Sequence, residues 1–124
     1  MNRERRRRAW ARGRRAESVA AWCLRLKGYR ILARGFRAKV GEVDLIARRG
    51  GVLALVEVKA RPSLEEAMES IGPRQRRRIQ RAAEAYLQRH AGLARFDVRF
   101  DVILIVPGRW PRHVPDAWRN DLSV

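Results

Sequence analysis

The chain has 124 residues, 46% of them apolar, and carries 29 basic against 13 acidic side chains for a formal net charge of +16. That length suits one domain around one core, and such an excess of positive charge repels itself unless a polyanion binds. Nucleic acid is the first candidate partner, because phosphate neutralisation by Lys and Arg supplies sequence-independent affinity; an anionic membrane surface is the second, and the ribosome a special case of the first. Cys23 is the only cysteine, which excludes an internal disulfide framework and suits a reducing compartment. No apolar run approaches the ~20 residues that span a bilayer. The basic start, Arg5 to Arg8, is followed by no apolar stretch of the export type, so a cytoplasmic location is expected.

Residues 1–12 read as a disordered basic arm, since like charges in a block repel one another. From about Arg14 to Lys27 the spacing predicts a helix, with Ala16, Val19, Ala20, Cys23, Leu24 and Leu26 to one side and Gly28 as its stop. Glu17 falls at the margin of that apolar stripe. Strands are expected at Tyr29 to Arg37, Glu42 to Arg48 and Val52 to Ala60, the last two joined by the turn signal Arg49-Gly50-Gly51. Pro62 closes the third strand, and a short helical stretch covers Leu64 to Ser70. Gly72-Pro73 then opens a long helix, where Pro is tolerated in the first turn. Its core face is Ile79, Ala82, Ala83, Tyr86 and Leu87, and Arg76, Arg77, Arg78 and Arg81 cover its outer side. Arg99 to Val106 is a fourth strand, and Pro107, Pro111 and Pro115 punctuate an irregular tail. The order of helix, three strands, helix and strand argues for a single α/β domain, a mixed sheet flanked by helices.

The turn fixes a register for the two central strands. With Arg49 facing Val52, Ile46 faces Leu55, Asp44 faces Glu57 and Glu42 faces Lys59. Period-two alternation puts these on one face, and Val43, Leu45, Val56 and Val58 on the other. Two carboxylates opposite one another, with Cβ atoms ~5 Å apart, destabilise a sheet unless a cation or a shared proton resolves them. Mg²⁺ does so with one or two carboxylates, waters and phosphate oxygens. His90 and His113 are the only histidines, too few for a zinc site or a histidine nuclease. Lys59 shares the face of Glu57, where an ammonium could hold an attacking water and stabilise charge on a scissile phosphate. The chain writes nearly all its basic residues as Arg, with Lys27, Lys39 and Lys59 the exceptions, and a compact rotatable charge is what such a site would select. Against this stands the plainer alternative of strand-end charges and a Glu42–Lys59 ion pair. Ser63 and Ser70 have no base at a useful spacing, Cys23 reads as core, and Trp110 and Trp118 are open candidates for base stacking.

Taken in order, Gly13-Arg14-Arg15-Ala16-Glu17, Gly41-Glu42-Val43-Asp44-Leu45-Ile46-Ala47, Val56-Glu57-Val58-Lys59, Gln75 in a basic helix start and Arg99-Phe100-Asp101-Val102 resemble the YraN-like family. That family is one of predicted bacterial endonucleases, related in fold to archaeal Holliday-junction resolvases. The resemblance implies a restriction-endonuclease-like domain over residues 13–124. It also implies Asp44, Glu57 and the backbone carbonyl of Val58 as ligands for Mg²⁺ or Mn²⁺, Lys59 as the catalytic lysine, and Glu17 as a helix-borne acid aiding metal or water. Gln75 would sit near the site, and Glu42 and Asp101 match the family pattern without a defined role. The expected activity is hydrolysis of phosphodiester bonds, in DNA rather than RNA, with branched or structured DNA and a homodimer both suggested by the resolvases. Arg5, Arg6, Arg7, Arg8, Arg14, Arg74, Arg76, Arg77, Arg78 and Arg81 would hold the nucleic-acid backbone. The alternative is a non-catalytic nucleic-acid-binding module of the same fold, acting on RNA or at the ribosome.

Overall fold

A computed structural model describes the backbone of residues 3–119 and the side chains of residues 13–119. The elements run α1 (Arg3–Leu26), β1 (Arg30–Ala38), β2 (Gly41–Arg49), β3 (Val52–Ala60), α2 (Leu64–Glu69), α3 (Pro73–Arg89), a short 3₁₀ turn (Ala91–Leu93), β4 (Asp97–Ile105) and β5 (Arg112–Trp118). The five strands form one mixed sheet in the order β1-β2-β3-β4-β5. Only β3 and β4 are parallel, and α2 and α3 form the crossover between them. The expected α/β architecture is present, with α1 and α3 on opposite faces of the sheet.

Each face has its own core. Against α3 lie Ile46, Leu53, Leu55, Phe100 and Val102, meeting Ile79, Ala82, Ala83 and Tyr86. Against α1 lie Leu45, Ala47, Ala54, Val56 and Ile103, meeting Ala20, Ala21 and Leu24. Strand β3 is therefore buried on both sides, which is why Val52 to Val58 is almost continuously apolar rather than alternating. Each fully buried Leu or Ile contributes about 1.5–3 kcal/mol.

The β2–β3 hairpin follows the expected register, from Arg49↔Val52 through Ile46↔Leu55 to Leu45↔Val56. Gly50 takes a left-handed conformation at φ 58°, which a tight turn between twisted strands needs. A second close approach involves Gly41 at the end of the β1–β2 turn. A Cβ added there would lie 1.8 Å from the backbone oxygen of Arg78, so only glycine lets this hairpin rest on α3.

Several expectations require correction. Helix α1 begins at Arg3 instead of Arg14, because Arg and Ala are strong helix formers; the segment expected as a disordered arm is helical from residue 3, and the side chains of Arg5 to Arg8 lie outside the described residues. The buried stripe of α1 is also narrower than its periodicity suggested, with Val19 and Leu26 exposed. Val43 packs with Ile46 on the α3 side, whereas Leu45 packs on the α1 side. Alternation is thus interrupted around Asp44, where the β2–β3 ladder stops. The supposed irregular tail contains β5, which pairs antiparallel with β4. Its Pro115 is tolerated because β5 is an edge strand with a register shift, and Asp116 beside it has φ 53°.

Candidate active site

The end of the sheet at which the β2–β3 ladder stops opens into a cleft of about 910 Å³. Its wall includes Arg14 and Glu17 from α1, Arg37 from β1, Asp44 from β2, Val58, Lys59 and Arg61 from β3 and its end, and Val106 and Pro107 beyond β4. Four cationic and two acidic side chains therefore share the cavity.

Asp44 does not face Glu57 in the ladder. It leaves the ladder, and its Oδ2 accepts a 2.8 Å hydrogen bond from the backbone N–H of Val58. That bond occupies the N–H freed where pairing ends and holds the carboxylate at the mouth of the strand pair. Glu57 lies behind Asp44, only 5% exposed and within hydrogen-bonding reach of it. Gln75, from the first turn of α3, donates through Nε2 to Glu57 Oε2 at 2.8 Å. Burial first, then the hydrogen bond and charge of Asp44, push the Glu57 carboxyl up to about 9, against opposing pulls from Gln75 and Lys59. Burial beside a second carboxylate therefore disfavours the charged form of Glu57.

Glu17 lines the same cleft and pairs with Arg34 at 3.6 Å. Burial and then the neighbouring Asp44 raise its pKa, while Arg34 and Arg14 oppose the rise. Of the expected site residues, Glu17, Asp44, Val58 and Lys59 line one cavity, and Glu57 and Gln75 lie behind Asp44. Glu42 is not there: it pairs with Arg37 across the β1–β2 hairpin at 3.3 Å rather than with Lys59. Of the arginines expected to hold nucleic acid, Arg14 lines the cleft, and Arg74, Arg77, Arg78 and Arg81 are exposed on α3. Arg76 is partly withdrawn into the fold, donating to the Ile71 carbonyl at 3.1 Å and lying over Trp118. Sequence reasoning missed Arg37 and Arg61 on the cleft wall. Arg61 had a signal, since it follows Lys59 by two residues, directly after the end of β3.

Among the described residues no cluster of three or more His, Cys, Asp or Glu side chains forms a metal cage. The oxygen donors that do converge are the Asp44 and Glu57 carboxylates, with Glu17 across the cleft. This fits a hard divalent cation that keeps several waters, and a cation there would offset the mutual repulsion of the two carboxylates.

Asp101, which matched the family pattern without a role, is structural. Its buried carboxylate accepts from Arg99 Nε and Nη2 at 2.8 Å each, from His113 Nε2 at 2.8 Å and from the Asp116 backbone N–H at 2.9 Å. Burial alone would raise its pKa, but His113, Arg99 and Asp116 together hold it below the ordinary value. Lys27 Nζ lies 2.9 Å from His113 Nδ1. An ammonium only donates, so Nδ1 accepts and the imidazole proton sits on Nε2, facing Asp101. Arg99 also donates to the Tyr29 hydroxyl at 2.6 Å. The network pins β5 and the end of α1 to the central sheet.

No helix among the described residues is long and apolar enough to cross a membrane. The sequence profile described as "Uncharacterised protein family UPF0102" matches residues 16–105, a span containing the acids of the cleft, Lys59 and Gln75. A UPF0102 protein of Paramagnetospirillum magneticum is 56% identical over 117 residues, covering 91% of both chains. One from Parvibaculum lavamentivorans is 55% identical over 111 residues, covering 90% of this chain and 84% of its own. A third, from Mesorhizobium japonicum, is 54% identical over 113 residues, covering 91% and 90% respectively. The chain belongs to the UPF0102 family, the YraN-like family that its ordered motifs resemble.

Proposed function

We propose that this protein is a metal-dependent endonuclease that hydrolyses phosphodiester bonds, in DNA before RNA. The observation that carries the reading is the half-buried Asp44 carboxylate on a cleft walled by Arg14, Arg37, Lys59 and Arg61, with the buried Glu57 carboxyl against it. Two carboxylates pressed together suit a cation, and four positive side chains suit the phosphate that the cation would meet.

Asp44, Glu57 and the Val58 carbonyl would hold Mg²⁺ or Mn²⁺, with Glu17 alongside. The bound cation supplies Lewis-acid charge to a phosphate oxygen. Lys59 holds the attacking water and donates to the oxygen on which negative charge develops. Gln75 keeps the Glu57 carboxyl turned toward Asp44, and the exposed arginines of α3 give the strand a non-specific grip.

Labelled linear, flap and four-way-junction DNA, incubated with Mg²⁺ or Mn²⁺, is cut by the wild type and not by Glu57→Ala or in EDTA. Asp44→Asn likewise abolishes cutting while DNA binding is kept or tightened, since one negative charge beside the phosphate is gone. Tight binding without cutting in either metal refutes the nuclease and favours the alternative of a non-catalytic nucleic-acid-binding module.

A further inference from the structure

The connection from β4 to β5 is a built feature beside the cleft. The backbone N–H of Arg109 donates to the Val106 carbonyl at 3.1 Å. Pro107 and Gly108 occupy the two central positions, with Gly108 at φ 77°. Pro followed by a left-handed Gly is the composition of a type II turn. Val106 and Pro107 line the cleft, and Ile105 pairs with Ala60, one position beyond Lys59. The turn therefore rises from the same end of the sheet as the acidic pair.

Directly after this turn stands Trp110. It is 88% exposed, more than any other large hydrophobic side chain among the described residues. The contrast with Trp118 is informative: that indole is buried and stacked on Phe100 at 4.2 Å. Trp110 is flanked by Arg109 and Arg112, both exposed, and is followed by the half-buried Pro111. A solvated surface tryptophan can be incidental. Here it follows a hydrogen-bonded Pro-Gly turn, is bracketed by arginines and adjoins a basic cleft, and those features together match a nucleic-acid stacking platform. An indole offers a flat apolar face to any base, and neighbouring guanidinium groups neutralise the phosphates on either side.

We propose that Trp110 stacks on an unpaired nucleobase next to the phosphate in the cleft, with Arg109 and Arg112 holding the adjoining backbone. The preferred substrate class is then DNA carrying unpaired bases, as in single strands, forks or flaps. In a continuous duplex every base is already stacked on its neighbours, so Trp110 gains nothing there. This inference rests on the nucleic-acid reading of the cleft, but not on catalysis.

The test measures binding in EDTA, where no cutting occurs, using a fluorescent single strand, a forked duplex and a blunt duplex of matched length. Trp110→Ala is expected to weaken binding to the single strand and the fork by about tenfold or more, and to leave the blunt duplex unchanged. Trp110→Phe retains most of the affinity. Thermal melting confirms that both variants fold, as expected for a side chain in solvent. An equal loss on all three probes, or none on any, overturns the stacking role while leaving nucleic-acid binding intact. Failure of the wild type to bind any probe overturns the nucleic-acid reading itself.

Discussion

Gln75 Nε2 donates to Glu57 Oε2 at 2.8 Å, joining the first turn of α3 to the buried member of the carboxylate pair. Glu57 reaches the cleft only through Asp44, so its orientation depends on what lies behind it. Gln75→Leu removes that support without adding charge. Metal-dependent cleavage is expected to fall about 10–100-fold, with the rate curve displaced to higher metal concentration. A titration of rate against Mn²⁺ checks this; an undisplaced curve would mean that Gln75 only packs.

Lys59 stands on the cleft wall two residues beyond Glu57. Lys59→Ala is expected to slow cutting by about 10²–10³-fold, the usual cost of losing one donor to a developing oxyanion. Duplex binding should change little, because Arg14, Arg37 and Arg61 remain. Lys59→Arg should restore only part of the rate, since a planar fork does not replace a rotatable ammonium. Single-turnover rates beside binding curves separate the two effects.

Asp101 predicts an acid-sensitive fold. Its pKa is held below 3.8 in the folded protein, so its stabilising contribution is complete above the unfolded value and is lost as pH falls through the folded one. Asp101→Asn leaves Arg99 and His113 poorly matched in a buried site, and about 3–5 kcal/mol of stability should go. Chemical denaturation from pH 7 down to about 2 tests both points. The wild type should lose stability steeply at the acid end, and the variant should be weaker throughout and flatter there.

Gly41 gives a prediction without chemistry. Gly41→Ala forces a methyl group into the Arg78 carbonyl, and either the β1–β2 hairpin or α3 must move. A loss of about 1–3 kcal/mol is expected, read as a lower melting temperature. Any effect on cutting should be secondary, through the seating of α3 and hence Gln75.

The parts of this molecule legible in the sequence were those governed by local rules. Gly50-Gly51 fixed the β2–β3 register, and the apolar repeat of α3 fixed which face meets the sheet. That was enough to bring Asp44, Glu57 and Lys59 near one another before any coordinates. What escaped depended on distant partners. Pro111 and Pro115 hid β5, because a proline reads as a breaker unless the strand is known to lie at an edge. Asp101 looked like a spare acid, because its partners Tyr29-linked Arg99, His113 and Asp116 converge only in three dimensions. The position of Asp44 was foreseen, but not the way it is held. Strict alternation would have paired it with Glu57 across the ladder, whereas the chain ends the ladder and spends the carboxylate on the Val58 N–H.

The parallel pairing of β3 with β4 also sets an order in time. The β1–β2 and β2–β3 hairpins join neighbours in the chain and can form as soon as they leave the ribosome. Strand β4 cannot arrive until α2 and α3 have been synthesised, and loops of that size close slowly. Until then β3 is an open edge, with Leu53 to Val56 unpaired on one side and prone to wrong partners. Glu57 pairs with Val102 of β4, so its burial is complete only when that strand is in place, and a chain halted before Asp97 would carry Glu17, Asp44 and Glu57 without the environment that gives them their chemistry.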